Sequence, residues 1–222
     1  YTIKWIARMV QMPHLPAETA ILIKTPEGTG KGTLFNEIVA PWFGPYAMIT
    51  TNQEHVFGRF NDASAKTIFL SLDEATWGGN KQQEGALKQA ITDKRKTIEE
   101  KYKSVKNGVN YQHIVITTNN DWGVAIGQSD RRYVAIDMST AKVGDREYFK
   151  ALHNWINNGG VAAALHYFLY EVNISDFDPR VIPKSADVNS KIKIDQKMRS
   201  ASSNIKFITY LLSTPEFRYK KG

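Results

Sequence analysis

Apolar positions recur along the chain with two periods. In YTIKWIARMV, Ile3, Ile6 and Val10 fall at helical spacing, and Pro13 and Pro16 stop that helix. The short apolar run AILI, residues 20–23, reads as a buried strand, and a glycine-rich loop follows it directly. Residues 32–39 read as a helix with Leu34, Phe35, Ile38 and Val39 on one side, ended by Pro41 and Gly44. KTIFLSL (66–72) is a second expected strand. Residues 82–92 carry Leu87, Ala90 and Ile91 at helical spacing. HIVITT (113–118) is a third strand and residues 133–136 a fourth. After Asp145 the pattern is helical to near Val172. ISDFDPRVIP breaks it, and helical segments follow at 188–199 and 204–212. There is no internal repeat and no low-complexity tract.

Strands alternating with helices predict an α/β fold, with a mostly parallel sheet covered on both faces. The expected organisation is an N-terminal helix and linker (1–16), an α/β core (17–140) and a C-terminal helical region (141–222).

Composition narrows the picture. The chain has 222 residues, enough for one sizeable core. At 42% hydrophobic and 23% charged it is ordinary for a globular protein. No stretch approaches ~18 uninterrupted apolar residues, so no membrane span is expected. The start lacks a signal-peptide layout and an initiator Met, which suggests a piece of a longer protein. The absence of cysteine excludes disulfides and thiolate metal sites and fits a reducing compartment. A net charge of +7 leans toward a polyanionic partner. His14, His55, His113, His153 and His166 have no metal-ligand spacing. Trp42, Phe43, Trp155, Tyr167 and Phe168 are expected in the core. Neither a G-x-S-x-G elbow nor an H-E-x-x-H pattern occurs.

The stretch TPEGTGKGT, residues 25–33, carries the candidate chemistry. A phosphate-cradling loop reads G-x-x-x-x-G-K-[ST]. Here Thr25 replaces the first glycine, and Gly32 replaces the hydroxyl residue that normally touches Mg²⁺, leaving Thr33 as the nearest substitute. Such a loop needs backbone N–H groups converging on the anion, glycines for unusual angles, a helix N-terminus aimed at the charge and a lysine for the terminal phosphates. Gly28, Gly30, Lys31 and Gly32 meet these needs between a strand and a helix. Adenylate kinases carry the same GKGT sequence. The alternative is a glycine turn without a ligand.

TIFLSL runs into Asp73 and Glu74. Two carboxylates at the end of a buried strand are costly unless they serve a cation or a proton. In nucleoside triphosphatases the first acid holds the Mg²⁺ shell and the second polarises the attacking water; the alternative is an Asp73 that caps the turn ATWGGN. VITTNND places Asn119 at a strand tip, where an amide can orient water, although Asn-Asn-Asp is also turn chemistry. In SDRRYVAID, Arg131 and Arg132 precede a strand, expected on the same edge as the other strand tips. They either reach the phosphates of a neighbouring subunit or pair with Asp130. Residues 88–106 hold seven basic and three acidic side chains, and Asn107-Gly108 is a favoured two-residue hairpin turn.

In this order, GTGKGT, LSLDE, a basic segment, VITTN and DRR resemble the superfamily-three helicases, closest to the helicase module of phage and poxvirus-like primase-helicases. The resemblance covers residues 20–138. It implies an AAA+ type P-loop core, a homo-hexameric ring and ATP-driven translocation on single-stranded or forked DNA. It also implies a cytoplasmic setting, as a phage or mobile-element protein in its host, beside a primase or polymerase domain. ATP and Mg²⁺ are the implied cofactors. Glu27, Gly28, Thr29, Gly30, Lys31, Gly32 and Thr33 would hold the nucleotide, with Lys31 on the phosphates and Asp73 with Thr33 on the metal. Glu74 would activate water, Asn119 would be the sensor, and Arg131, or alternatively Arg132, the trans-acting finger. A hairpin before the sensor strand would grip DNA through Lys103, Lys106 and the turn residue Asn107. Two other readings stay open: a small-nucleotide kinase, suggested by GKGT, and a non-catalytic DNA-binding ring module, against which the pair Asp73–Glu74 argues.

Overall fold

The computed structural model describes residues 1–74, 81–118 and 130–182, together with Ser202, Ser203 and Lys206. The helices are α1 (Thr2–Gln11), α2 (Glu54–Phe57), α3 (Lys81–Thr92), α4 (Arg146–Trp155) and α5 (Val161–His166). The loop helix Thr33–Val39 is wound more widely than an α-helix. The strands are β1 (Ala20–Lys24), β2 (Ala47–Thr50), β3 (Phe69–Leu72), β4 (Arg95–Ile98), β5 (Lys106–Val109), β6 (His113–Thr118) and β7 (Tyr133–Asp137). Five form one sheet in the order β2-β3-β6-β1-β7, with every adjacent pair parallel. This is the expected α/β class.

Alternation along the strands divides the core between the two faces. Leu22, Leu70, Leu72, Ile114 and Ile116 pack with Leu87 and Ile91 of α3 and Val56 of α2. Ile21, Ile23, Phe69 and Val115 pack on the other face with Trp5, Ile6 and Met9 of α1 and with Phe35 and Val39 of the loop helix. Burial on both faces is why these strands read as continuous apolar runs. In α1 the buried stripe includes Trp5, Ile6 and Met9, whereas Ile3 is exposed; the expected Ile3–Ile6–Val10 stripe is rotated, because Trp5 supplies the largest apolar surface. Gln11 of α1 donates to the Phe168 and Val172 carbonyls (2.8 and 2.9 Å), tying the C-terminal helices to the N-terminal one.

Several sequence expectations change. Strand β2 went unread because four residues, AMIT, are too few to set a period. The helical stretch after Asp145 is kinked at Asn158 and Gly159, where Gly159 takes φ +92°. Trp155 and Tyr167 are exposed rather than core, while Trp42, Phe43 and Phe168 pack on the α1 side of the sheet. The expected helices at 188–199 and 204–212 lie outside the described residues, apart from Lys206, whose amide donates to the Ser202 carbonyl (3.0 Å).

The largest correction concerns Asn107 and Gly108. They are not a turn. Both lie inside β5, with Thr97 opposite Asn107 and Lys96 opposite Gly108, and the connection runs through residues 99–105. Tertiary anchoring overrides the local turn preference. The side chain of buried Asn110 donates to the carbonyls of Ala90 and Asp93 (2.7 and 2.8 Å) and fixes where β5 ends. A side chain at position 108 would meet the end of the Ile98 side chain, Cδ1, at 2.5 Å, and Ile98 would have to shift to admit it. The hairpin is fastened at its base. Asn61 donates to the Thr97 carbonyl and accepts from the Glu99 amide (3.0 and 3.1 Å), and Lys96 donates to the Ser64 carbonyl (2.6 Å).

Among the described residues no helix is long and apolar enough to cross a membrane.

Candidate functional site

In a parallel sheet all strands point the same way, so their C-terminal ends share one edge. Residues 25–33 leave β1 at that edge, and Asp73 and Glu74 leave β3 there. Gly28 and Gly30 take φ +77° and +88°, the left-handed angles that glycine adopts without cost. The Leu34 amide already donates to the Gly30 carbonyl (2.9 Å), so helical bonding starts within the loop. Thr25 and Thr29, both buried, hydrogen-bond through their hydroxyls (3.1 Å), and Thr29 donates to the Pro26 carbonyl (3.2 Å). The hydroxyl at Thr25 thus pins the loop across its base, a bond that glycine at this position cannot make.

Lys31 Nζ lies 3.7 Å from Asp73 Oδ1. Thr117, in β6, donates its hydroxyl to the same carboxylate oxygen, and the Glu74 amide donates to it at 3.1 Å. The register explains the Thr117 bond: Leu72 pairs with Ile116, so Asp73 sits beside Thr117. Glu74 takes φ +50°, a left-handed conformation costing about 1–2 kcal/mol outside glycine. It is exposed. Lys31, Asp73 and Glu74 line an open cleft of about 550 Å³ with Thr33, Asn36, Glu37 and Phe149.

The sequence pattern did not single out Thr117, Asn36, Glu37 or Phe149. Thr117 could be paired with Asp73 only from the strand order. Phe149 arrives from α4, and its ring would lie 3.2 Å from a side chain placed at Gly30. A second reason for glycine at position 30 is therefore an aromatic packed over the loop. Asn119 lies outside the described residues.

The donor set suits a cation delivered with a phosphate. Among the described residues no three His, Cys, Asp or Glu side chains gather into a self-sufficient metal site. Mg²⁺ is commonly held by one or two carboxylates plus substrate phosphates, and Asp73 with the Thr33 hydroxyl is a set of that kind.

The two arginines lie at the opposite edge, which corrects the expected placement. The Ala20 amide at the start of β1 donates to the Arg132 carbonyl (2.7 Å), and Ala20 pairs with Tyr133 while Lys24 pairs with Asp137. Both arginines therefore precede the N-terminal end of β7. The five residues of β1 separate them from the loop by roughly 15 Å, at ~3.3 Å per residue. They line a cavity of about 470 Å³ with Glu18, Thr19, Thr92 and Arg180. Arg132 is drawn inward: its guanidinium is 3.3 Å from the buried Asp130 carboxylate, and its amide donates to the same oxygen (3.0 Å). Arg131 is exposed.

Lys103 lies in the hairpin connection, where it pairs with Glu100, and Lys106 opens β5 at 3.7 Å from the same carboxylate. Both are exposed, on and beside the hairpin connection rather than flanking an Asn107-Gly108 turn, and they share one counter-charge. Asn107 is bonded across the ladder to Thr97 (3.3 Å).

A family model described as "Family of unknown function (DUF5906)" matches residues 22–132, half of the chain, spanning the loop, the acid pair, the hairpin and the arginines. No curated protein sequence matches the chain significantly. Among solved structures, the apo structure of the NrS-1 C terminal region (305-718) is similar with TM-score 0.75 at 21% identity, covering 96% of this chain and 52% of that one. An A form of that apo region gives TM-score 0.70 at 21% identity, covering 96% and 49%. The X-ray structure of JCV helicase gives 0.50 at 15% identity, covering 96% and 58%. The chain thus spans about half the length of the NrS-1 region it matches. At these identities the likeness concerns the fold alone.

Proposed function

The chain belongs to the DUF5906 family, and from the geometry of its site we propose that it is an Mg²⁺-dependent ATPase acting on single-stranded DNA as a superfamily-three helicase. The observation that carries this is the meeting of Lys31, Asp73 and Thr117 at the C-terminal edge of the sheet, beside a loop whose glycines take left-handed angles. The fold it shares with the NrS-1 region and with JCV helicase supports the same reading.

In this mechanism the amides of residues 28–33 and the Lys31 ammonium hold the phosphates of ATP. Asp73 and Thr33 would hold Mg²⁺, which would supply positive charge against the phosphates. Thr117 keeps the Asp73 carboxylate aimed. Glu74, exposed beside the cleft, accepts a proton from the attacking water, and Asn119 orients that water. Arg131 serves the site of the next subunit, since the length of the sheet separates it from its own. Forked or single-stranded DNA as the track, a homo-hexameric ring and a primase or polymerase domain as companion belong to the same proposal.

ATP hydrolysis with and without single-stranded DNA, read alongside particle mass, tests it. The expected result is Mg²⁺-dependent hydrolysis that DNA stimulates and that Lys31→Ala abolishes. Unchanged hydrolysis by Lys31→Ala would move the site elsewhere. Transfer of phosphate to nucleoside monophosphates would favour the kinase, and no hydrolysis with DNA present would favour the non-catalytic module.

A further inference from the structure

Tyr102 stands at the tip of the hairpin with 92% of its surface exposed, the most exposed large hydrophobic side chain among the described residues. An exposed aromatic contributes nothing to this core, yet the chain holds it in place. Tyr102 takes φ +65°, a left-handed angle that a bulky side chain avoids. The next residue closes the turn: the Lys103 amide donates to the Glu100 carbonyl (3.1 Å), and its ammonium pairs with the Glu100 side chain. Behind the tip, the base of the hairpin is fastened through Asn61 and Lys96. The ring is therefore presented on a supported arm.

Its surroundings are cationic. Lys101 Nζ lies 5.1 Å from the ring centroid, and Lys103 and Lys106 stand close by on Glu100. An exposed aromatic face with one ammonium against it and two more on the same hairpin matches a chemistry with a flat face and a phosphate beside it. We infer that Tyr102 stacks on an unpaired nucleobase while Lys101, Lys103 and Lys106 take the flanking phosphates. Bases in a duplex have both faces covered, so a stacking tip distinguishes single strands from duplex, which lysines alone do not. Stacking also tolerates any sequence, because every base has a π-face. This inference rests on the reading that the hairpin faces DNA.

The test is binding of an oligothymidylate and of an abasic strand of equal length and charge, by the parent chain, Tyr102→Ala and Tyr102→Phe. The parent should prefer the oligothymidylate by about tenfold, Tyr102→Ala should lose that preference, and Tyr102→Phe should keep it. With 2-aminopurine in the strand, the parent should quench its fluorescence and Tyr102→Ala should not. If the parent binds both strands equally, or Tyr102→Ala keeps the preference, the stacking role is wrong while the DNA reading stands. If the parent binds neither strand, both are wrong. The ring is solvent-exposed, so its replacement should leave folding intact, which an unchanged ATP affinity would check.

Discussion

The Thr117 hydroxyl donates to the Asp73 carboxylate across the β3–β6 pair, so the acid at the tip of one strand is held by the neighbouring strand. A hydrogen bond to a charged group contributes about 1.5–3 kcal/mol. Thr117→Val keeps the shape and removes this donor, leaving Asp73 held by the Glu74 amide and Lys31 alone. ATPase activity at limiting Mg²⁺ should fall by about tenfold or more, with higher Mg²⁺ needed for half-maximal rate. Thr117→Ser should restore most of it. Equal activity of Thr117→Val and the parent at every Mg²⁺ concentration would show that the bond has no part in the site.

Glu74 stands outside the bonds that fix Asp73, with only its amide engaged there. The two acids should therefore separate on mutation. Glu74→Gln should bind Mg²⁺-ATP near normally and hardly hydrolyse it, whereas Asp73→Asn should weaken Mg²⁺-ATP binding as well. Fluorescent-nucleotide titration beside single-turnover hydrolysis makes the distinction. Near-normal turnover by Glu74→Gln would remove it from the mechanism.

Arg131 is exposed at the sheet edge opposite the loop. Arg131→Ala should lower hydrolysis by about 10³-fold with ATP affinity retained. Mixing it with Lys31→Ala subunits should restore partial activity, because one intact loop then meets one intact arginine. No rescue at any ratio, with mixing confirmed, counts against a role across subunits.

His113 is fully buried beside Trp5, with Nδ1 against the Tyr111 carbonyl (2.9 Å). Burial pushes its pKa down from 6.5 to about 4. The unfolded chain gains this proton below about 6.5, the folded chain only near 4, so between these values the unfolded state binds more protons. Stability should therefore fall as pH drops through this window, by about 3 kcal/mol in all. Urea midpoints from pH 7 to pH 4 measure the fall, and His113→Phe should be less sensitive. An imidazole that titrates near 6.5 in the folded protein, followed by NMR, would contradict the assignment.

Glu100 lies against both Lys103 and Lys106, and pairing with Lys103 holds its carboxyl below the usual range. On the proposed function, a DNA phosphate would compete with that carboxylate. Glu100→Gln should tighten single-stranded DNA by about threefold, a size typical of exposed ion pairs. Replacing Lys103 and Lys106 by Ala should weaken binding alike for all sequences. It should also flatten the salt dependence, by about 0.7 for each phosphate that is no longer neutralised. Basal ATP hydrolysis should persist in both. A double variant with unchanged affinity and salt slope would reduce the basic stretch to a solvated loop.

What the sequence determined by itself was whatever is local or periodic. The apolar runs AILI, FLSL and HIVITT marked buried strands, because a strand covered on both faces has no polar side to show. GTGKGT between a strand and a helix marked the loop, because left-handed angles and a helix start need glycine in a fixed order. The acids were legible because charge at the end of an apolar run has few uses. Tertiary structure decided the rest. Strand order brought Thr117 to Asp73 and sent Arg131 and Arg132 to the far edge, since in a parallel sheet the end of a strand that a residue occupies fixes its side of the molecule. Asn107-Gly108 read as a turn and became a ladder, because the anchoring of buried Asn110 outweighs a local turn preference worth little by itself. Phe149 reached the loop from a helix more than a hundred residues away, a meeting that only packing creates.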